Sequence, residues 1–145
     1  MASRLLIHGS TKRTVVIWLL ALNIAACEVE RAPAGVTCEK LRSLKIGMTV
    51  ESVRGLLGSP VQEVRQDGHV AVGGPEGTDM SWGWPSQGNG VRLYLYFGHE
   101  RLLYADSWIR TMLRDLFNNE GRPVLFKLNS DGLQEGPDFQ RIYCP

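Results

Sequence analysis

Leu41 to Pro60 reads LRSLKIGMTVESVRGLLGSP, which predicts two short helices joined by a tight corner and released into a strand. Gly47 stands where a first helix must stop, because a left-handed position costs glycine almost nothing. Thr49 is an N-cap for a second helix, its hydroxyl placed to accept an orphan backbone N–H two or three residues on. Glu51 puts negative charge in the first turn, where the helix dipole favours it. Met48 and Val53 hold the N′ and N4 positions of a hydrophobic staple. Gly58 is the next stop, and Ser59, ahead of Pro60, is pushed into extended geometry. Val50, Val53, Leu56 and Leu57 share one helical face, with Leu41 and Leu44 of the first helix to meet it.

Outward from this stretch, the first helix runs from about Cys38 to Lys45 with Thr37 as N-cap, and the second from about Val50 to Leu57. Both are too short to persist alone in water and need a sheet to pack on. Val61 to Arg65 reads as a strand, Asp67-Gly68 as a hairpin signal, His69 to Val72 as a continuation or a short return, and residues 73–79 as a loop. Met80, Trp82 and Trp84 alternate with Ser81 and Gly83, so the large side chains share one face of a strand that Pro85 ends. After the turn at residues 86–90 comes the clearest strand, Val91 to Phe97. Val91, Leu93, Leu95 and Phe97 point one way, and Arg92, Tyr94 and Tyr96 the other. Residues 98–101 turn the chain, and Leu102 to Asp106 returns. Ile109, Met112, Leu113, Leu116 and Phe117 then fall at i, i+3, i+4, i+7 and i+8, which predicts a helix capped by Asp106 or Ser107 and stopped by Asn118 to Gly121. Pro123 to Asn129 reads as a strand, residues 130–132 as a turn, and Phe139 to Cys144 as a final extended piece.

The 145 residues are one domain by size. Arg4, Lys12 and Arg13 precede an apolar run, Thr14 to Ala26, of the length of a signal-peptide core and too short to span a bilayer. Removing those three charges with residues 1–26 lowers the formal charge from +1 to −2, which leaves no electrostatic footprint for nucleic acid. Ile24-Ala25-Ala26-Cys27 resembles the lipobox of bacterial lipoproteins, in which the cysteine becomes the acylated N-terminus. The plain alternative is a secretory signal cut after Ala26. With Cys27 acylated, Cys38 and Cys144 remain as an even pair in an oxidising compartment, either bridged or as two free thiols. Residues 27–36 then form the anchor and a short tether, and residues 37–145 the folded body, with an extension from about residue 107.

The string Leu44, Gly47, Met48, Thr49, Val53, Leu57, Gly58 and Pro60 resembles the start of the SmpA/OmlA (BamE-like) family of small bacterial envelope lipoproteins. Trp82-Gly83-Trp84-Pro85, Phe97, the polar turn at residues 98–101 and Leu102 extend the resemblance over about residues 38–106. It implies an α+β fold: two short N-terminal helices packed on an antiparallel β-meander (BamE/BLIP-like), here followed by a C-terminal helix–strand extension that covers a sheet edge or adds a partner surface. It further implies a lipid-anchored outer-membrane protein facing the periplasm. Such a protein acts as an accessory scaffold in outer-membrane protein assembly or envelope maintenance, through partner subunits and lipid headgroups. Glu28 after the cysteine, by the same analogy, is not an inner-membrane retention signal.

The residues offer little for catalysis. His8 lies in the leader, and His69 and His99 sit beside turn glycines. No metal-type spacing, Gly-x-Ser-x-Gly elbow or phosphate-cradling loop is present, so no cofactor or metal is expected. The aromatic cluster is more informative. Trp82, Trp84, Arg92, Tyr94 and Tyr96, with Tyr104 and Trp108 nearby, are of the types that anchor protein interfaces. The alternative is that the tail helix packs on that face and buries the tyrosines. Three functions follow in order of preference: an envelope scaffold; an inhibitor or immunity-type lipoprotein that binds an enzyme through its sheet face; and a small-ligand binder, which requires a concave apolar pocket.

Overall fold

The computed structural model describes residues 30–67, 72–85, 90–110 and 123–145. Helix α1, Cys38–Ser43, begins at Thr37, whose side chain accepts from Lys40 N. Helix α2, Val50–Leu57, begins at Thr49, whose hydroxyl accepts from Ser52 N at 3.2 Å, and ends at Gly58 with φ of +85°. Both caps and the second helix lie where the sequence puts them. The first helix does not reach Lys45. It stops at Ser43, with Leu44 extended, and Gly47 (φ +86°) serves a separate turn closed by Met48 N on Lys45 O.

Six strands follow: β1 Gln62–Arg65, β2 Met80–Trp84, β3 Gly90–Gly98, β4 Arg101–Arg110, β5 Val124–Asn129 and β6 Gly132–Glu135. All neighbours pair antiparallel in sequential order, forming a single sheet. A last helix, α3, spans Phe139–Tyr143.

This overturns the expected α+β arrangement of two helices on a meander with an appended tail. The molecule is dominated by its six-stranded sheet, and the three helices among the described residues have only 6, 8 and 5 residues. The C-terminal region is no extension. β5 continues the sheet from β4, and Leu125, Phe126 and Leu128 are fully or almost fully buried. Phe139, Ile142 and Tyr143 enter the same core from α3, the segment expected to be extended. The expected tail helix fails at its start, because Ser107, Ile109 and Arg110 belong to β4. Ile109 continues an inward row with Ala105 and Ser107 at strand period, and a single apolar residue fits either periodicity. Met112, Leu113, Leu116 and Phe117 lie outside the described residues, as do His69 and everything before Glu30.

The core occupies one face of the sheet. Leu41, Val53 and Leu57 from the first two helices join Trp82, Leu93, Leu95, Phe97, Leu102 and Phe126 from the strands in a continuous apolar cluster. Two features close it. The Cys38–Cys144 disulfide joins the start of α1 to the end of α3, with Cα atoms 5.2 Å apart. Ser107 Oγ donates to or accepts from the Tyr143 hydroxyl at 2.6 Å and bonds Arg92 O at 2.7 Å, so the buried polar groups that couple α3 to β4 are satisfied. At the other end Trp82, fully buried, donates its indole N–H to Glu63 at 2.9 Å, and the Arg54 guanidinium lies 4.6 Å from its ring centre.

The β3–β4 hairpin turns through two residues, His99 and Glu100, both with positive φ (49° and 61°). This turn type prefers Asn-Gly, so His-Glu holds it against local preference. The strain is offset by the corner after α1. Val50 N donates to Glu100 O (3.1 Å), Gly47 N to Leu102 O (2.8 Å), and Leu102 N to Met48 O (2.8 Å).

Two stability predictions follow from these contacts. Replacing His99 and Glu100 by Asn and Gly leaves every backbone bond of the turn intact, and raises the unfolding free energy by about 1 kcal/mol in urea titrations. The disulfide closes a separation of 106 residues. For a loop of about 100 residues the chain-entropy account sets an upper value near 4–5 kcal/mol, so reductant or the Cys38→Ser, Cys144→Ser pair lowers stability by about 2–4 kcal/mol.

Candidate functional site

The β-strand alternation that sends Val91, Leu93, Leu95 and Phe97 into the core sends Arg92, Tyr94 and Tyr96 to the opposite face. On β4 the same face carries Tyr104, Asp106 and Trp108, and on β5 Val124 and Lys127, as the register requires: Tyr96 opposes Tyr104, Tyr94 opposes Asp106, and Asp106 opposes Lys127. Four rings form a continuous stripe. Trp108 and Tyr94 have centroids 6.3 Å apart, Tyr94 and Tyr96 6.5 Å, and Tyr96 and Tyr104 5.8 Å. These spacings lie in the range where aromatic pairs attract.

At one end of the stripe the 72–79 loop folds back over the sheet. Thr78 closes it by bonding Pro75 O with both its N–H (3.2 Å) and its hydroxyl (2.7 Å). Gly74, at φ of +119°, lies so close to the Tyr96 ring that a Cβ there would collide with it. Between this loop and the sheet is a shallow hollow of about 200 Å³, lined by Gly74, Pro75, Tyr96, Tyr104 and Asp106.

Asp106 is the chemically unusual member. Its Oδ1 is buried and has no hydrogen-bond partner among the described residues. Burial pushes its carboxyl up to about 6, and the Lys127 ammonium only partly opposes this. Lys127 acts through space, since no ion pair joins the two. Tyr96 and Tyr104 are both pushed above the usual phenol range, by burial first and by the Asp106 charge second, so both remain neutral O–H groups at physiological pH.

The structure separates the interface residues expected from sequence. Arg92, Tyr94 and Tyr96 share the outer face as expected. Trp82 and Trp84 do not join them: they point inward, with exposures of 0% and 5%, and are core residues. Cys38 and Cys144 are bonded to each other. Cys27 lies outside the described residues. Asp106, which the helical spacing after it places at a helix cap, lies instead within β4 on the outer face. The signal was present in the alternation of Tyr104, Asp106 and Trp108 between Ala105 and Ser107. Among the described residues no group of three or more His, Cys, Asp and Glu side chains is placed to hold a metal ion.

Asp106 gives a pH prediction whose sign is fixed by its raised proton affinity. The groups sharing its face are Arg92, Tyr94 and Tyr96 on β3, Tyr104 on β4 and Lys127 on β5. Between the ordinary value of 3.8 and about 6, the folded chain keeps this proton while the unfolded chain has released it, so raising the pH through that window favours unfolding. Above it, the cost of the buried charge is fully present. Asp106→Asn removes that cost. Discounted for partial solvent screening, the variant is more stable than the parent by about 1–2 kcal/mol at pH 7.5 and little different at pH 4, as measured by urea midpoints.

Compared with known proteins, the chain matches no family model, no curated protein and no solved structure.

Proposed function

We propose that this chain is a non-enzymatic accessory protein of the bacterial envelope, anchored through an acylated Cys27 in the outer membrane and facing the periplasm, which engages a protein partner through the tyrosine-lined outer face of its sheet. The observation that carries this reading is the Cys38–Cys144 disulfide. A structural disulfide of this kind belongs to an oxidising compartment, and it agrees with an export leader that ends in Ile24-Ala25-Ala26-Cys27.

Packing near the anchor supports a body held close to the membrane. Val36 is buried, Ala32 packs against the core, and Glu30 pairs with Arg141 of α3 at 2.8 Å. Residues 30–36 are thus part of the body, not a loose spacer. Only two residues, Glu28 and Val29, lie between Cys27 and Glu30, so the three steps reach about 10 Å even when fully extended. A domain so closely tethered meets partners in the plane of the membrane, where confinement raises the effective concentration of even a modest binding face.

The test is a pull-down of the full, acylated chain from detergent-solubilised membranes. Recovery of envelope assembly subunits is the expected result, and Tyr94→Ala or Tyr96→Ala weakens it roughly tenfold, as truncation of an interface anchor does. Recovery of a single tight enzyme partner would instead favour an inhibitor. A Cys27→Ser variant that remains membrane-bound would overturn the anchor.

A further inference from the structure

We infer that the hollow between the 72–79 loop and the sheet is a binding site for a small quaternary ammonium compound, with the Asp106 carboxylate as its counter-ion and the Tyr96 and Tyr104 rings as its walls. The inference needs neither the anchor nor a second protein, and it shares only Tyr96 with the residues tested for partner binding.

Three observations converge on this chemistry. The first is charge without a partner. Asp106 Oδ1 is buried with no hydrogen bond, and Lys127, directly opposite on β5, makes no ion pair with it. Asp106 as a whole is half-buried and lines the hollow, so a cation seated there lies beside the carboxylate and offsets the charge that Oδ1 leaves unbonded. The second is the wall material. Two tyrosine rings with centroids 5.8 Å apart stand on the rung next to the carboxylate on the same sheet face, and aromatic faces attract cations through their quadrupoles. The third is size. The hollow holds about 200 Å³, below the range typical of drug-sized ligands. At about 30 Å³ per water-sized group it accommodates roughly six or seven heavy atoms, which suits a trimethylammonium head on a short stem.

The same walls favour an alkylated ammonium over a primary one. A primary ammonium brings three N–H donors that each need an acceptor. The carbonyl of Pro75, which could have served, already accepts from the backbone and hydroxyl of Thr78. A quaternary ammonium carries charge with no donor to satisfy. Gly74 completes the shape: its missing Cβ lets the loop backbone lie against Tyr96, where any side chain would push the ring aside.

The experiment is titration of the full chain, in a non-ionic detergent, with choline and with its uncharged carbon isostere 3,3-dimethyl-1-butanol. Calorimetry is run alongside chemical-shift mapping. Choline is expected to bind roughly tenfold or more tightly than the isostere, with shifts centred on Tyr96, Tyr104 and Gly74. Asp106→Asn and, separately, Tyr104→Leu are each expected to weaken choline roughly tenfold, with an unchanged far-ultraviolet circular dichroism spectrum and a cooperative urea transition establishing that the variant is folded. Equal binding of choline and the isostere, or unaltered choline binding by folded Asp106→Asn, overturns the site. Tighter binding of n-butylammonium than of choline overturns the quaternary assignment.

Discussion

The pairing of β3 with β4 is the constraint from which the rest of the structure follows. These are the two longest strands, and their register runs from Gly90 opposite Arg110 to Gly98 opposite Arg101. Side chains alternate along β4 beyond the register shift at Tyr96/Phe97, so a slip of β4 by one residue would send Tyr104, Asp106 and Trp108 into the core. The register is held by a two-residue turn made of residues that do not favour it. Such a turn persists only if something outside it fixes the geometry, and the corner at Gly47 to Val50 does so through three backbone hydrogen bonds to Glu100 and Leu102. The N-terminal helices therefore do more than cover the sheet. The corner between them holds the hairpin in the one alignment that sorts apolar from polar.

The two faces are stabilised in different ways. The inner face is closed by short helices that could not survive in isolation, and it is locked at one end by the disulfide and the Ser107–Tyr143 bond. Arg42 adds a bidentate contact to Glu135, with N–O distances of 2.7 and 3.0 Å, and its guanidinium lies 5.6 Å from the centre of the Phe139 ring. These link α1, β6 and α3, elements from opposite ends of the sequence. The C-terminal region thus completes the core, which is why it cannot be separated as an extension.

How much of this was legible in the sequence depended on the range of the interaction involved. Locally encoded features were readable. The Thr37 and Thr49 caps, the bounds of α2, the β2 residues and the in–out alternation of VRLYLYF all follow from residue type and period. Parity made Cys38 and Cys144 a candidate pair but left two free thiols open, and the fold decides by bringing their Cα atoms within 5.2 Å. Features set by distant partners were not readable. β4 runs on past Asp106 because β3 pairs with it as far as Arg110 and β5 as far as Trp108. Phe139 to Tyr143 coils because Phe126 and the disulfide hold it against the sheet, with ring centroids of 5.8 Å from Phe126 to both Phe139 and Tyr143. The tryptophans were grouped with the tyrosines by composition, and only the register of β2 against β3 reveals that Trp82 faces inward with Leu95.

The position of Asp106 is the hardest to explain by folding alone. It occupies the middle of a rung that crosses the entire sheet: Gln62, Gly83, Tyr94, Asp106, Lys127 and Gln134. Nothing about a sheet requires a carboxylate there, and an uncharged residue would avoid the desolvation that raises its proton affinity. The neighbours on the rung relieve it only in part. Gly83 lacks a side chain, and a Cβ there would meet the Tyr94 ring at 3.0 Å, so the ring leans over the glycine. Lys127 remains solvent-exposed and contributes attraction without contact. The sheet thus keeps an ionisable group at its centre, walls it with rings that are themselves held neutral, and leaves one side open. A folded chain tolerates such an arrangement when the group is needed for something the fold does not supply, and here the missing component is a positive charge.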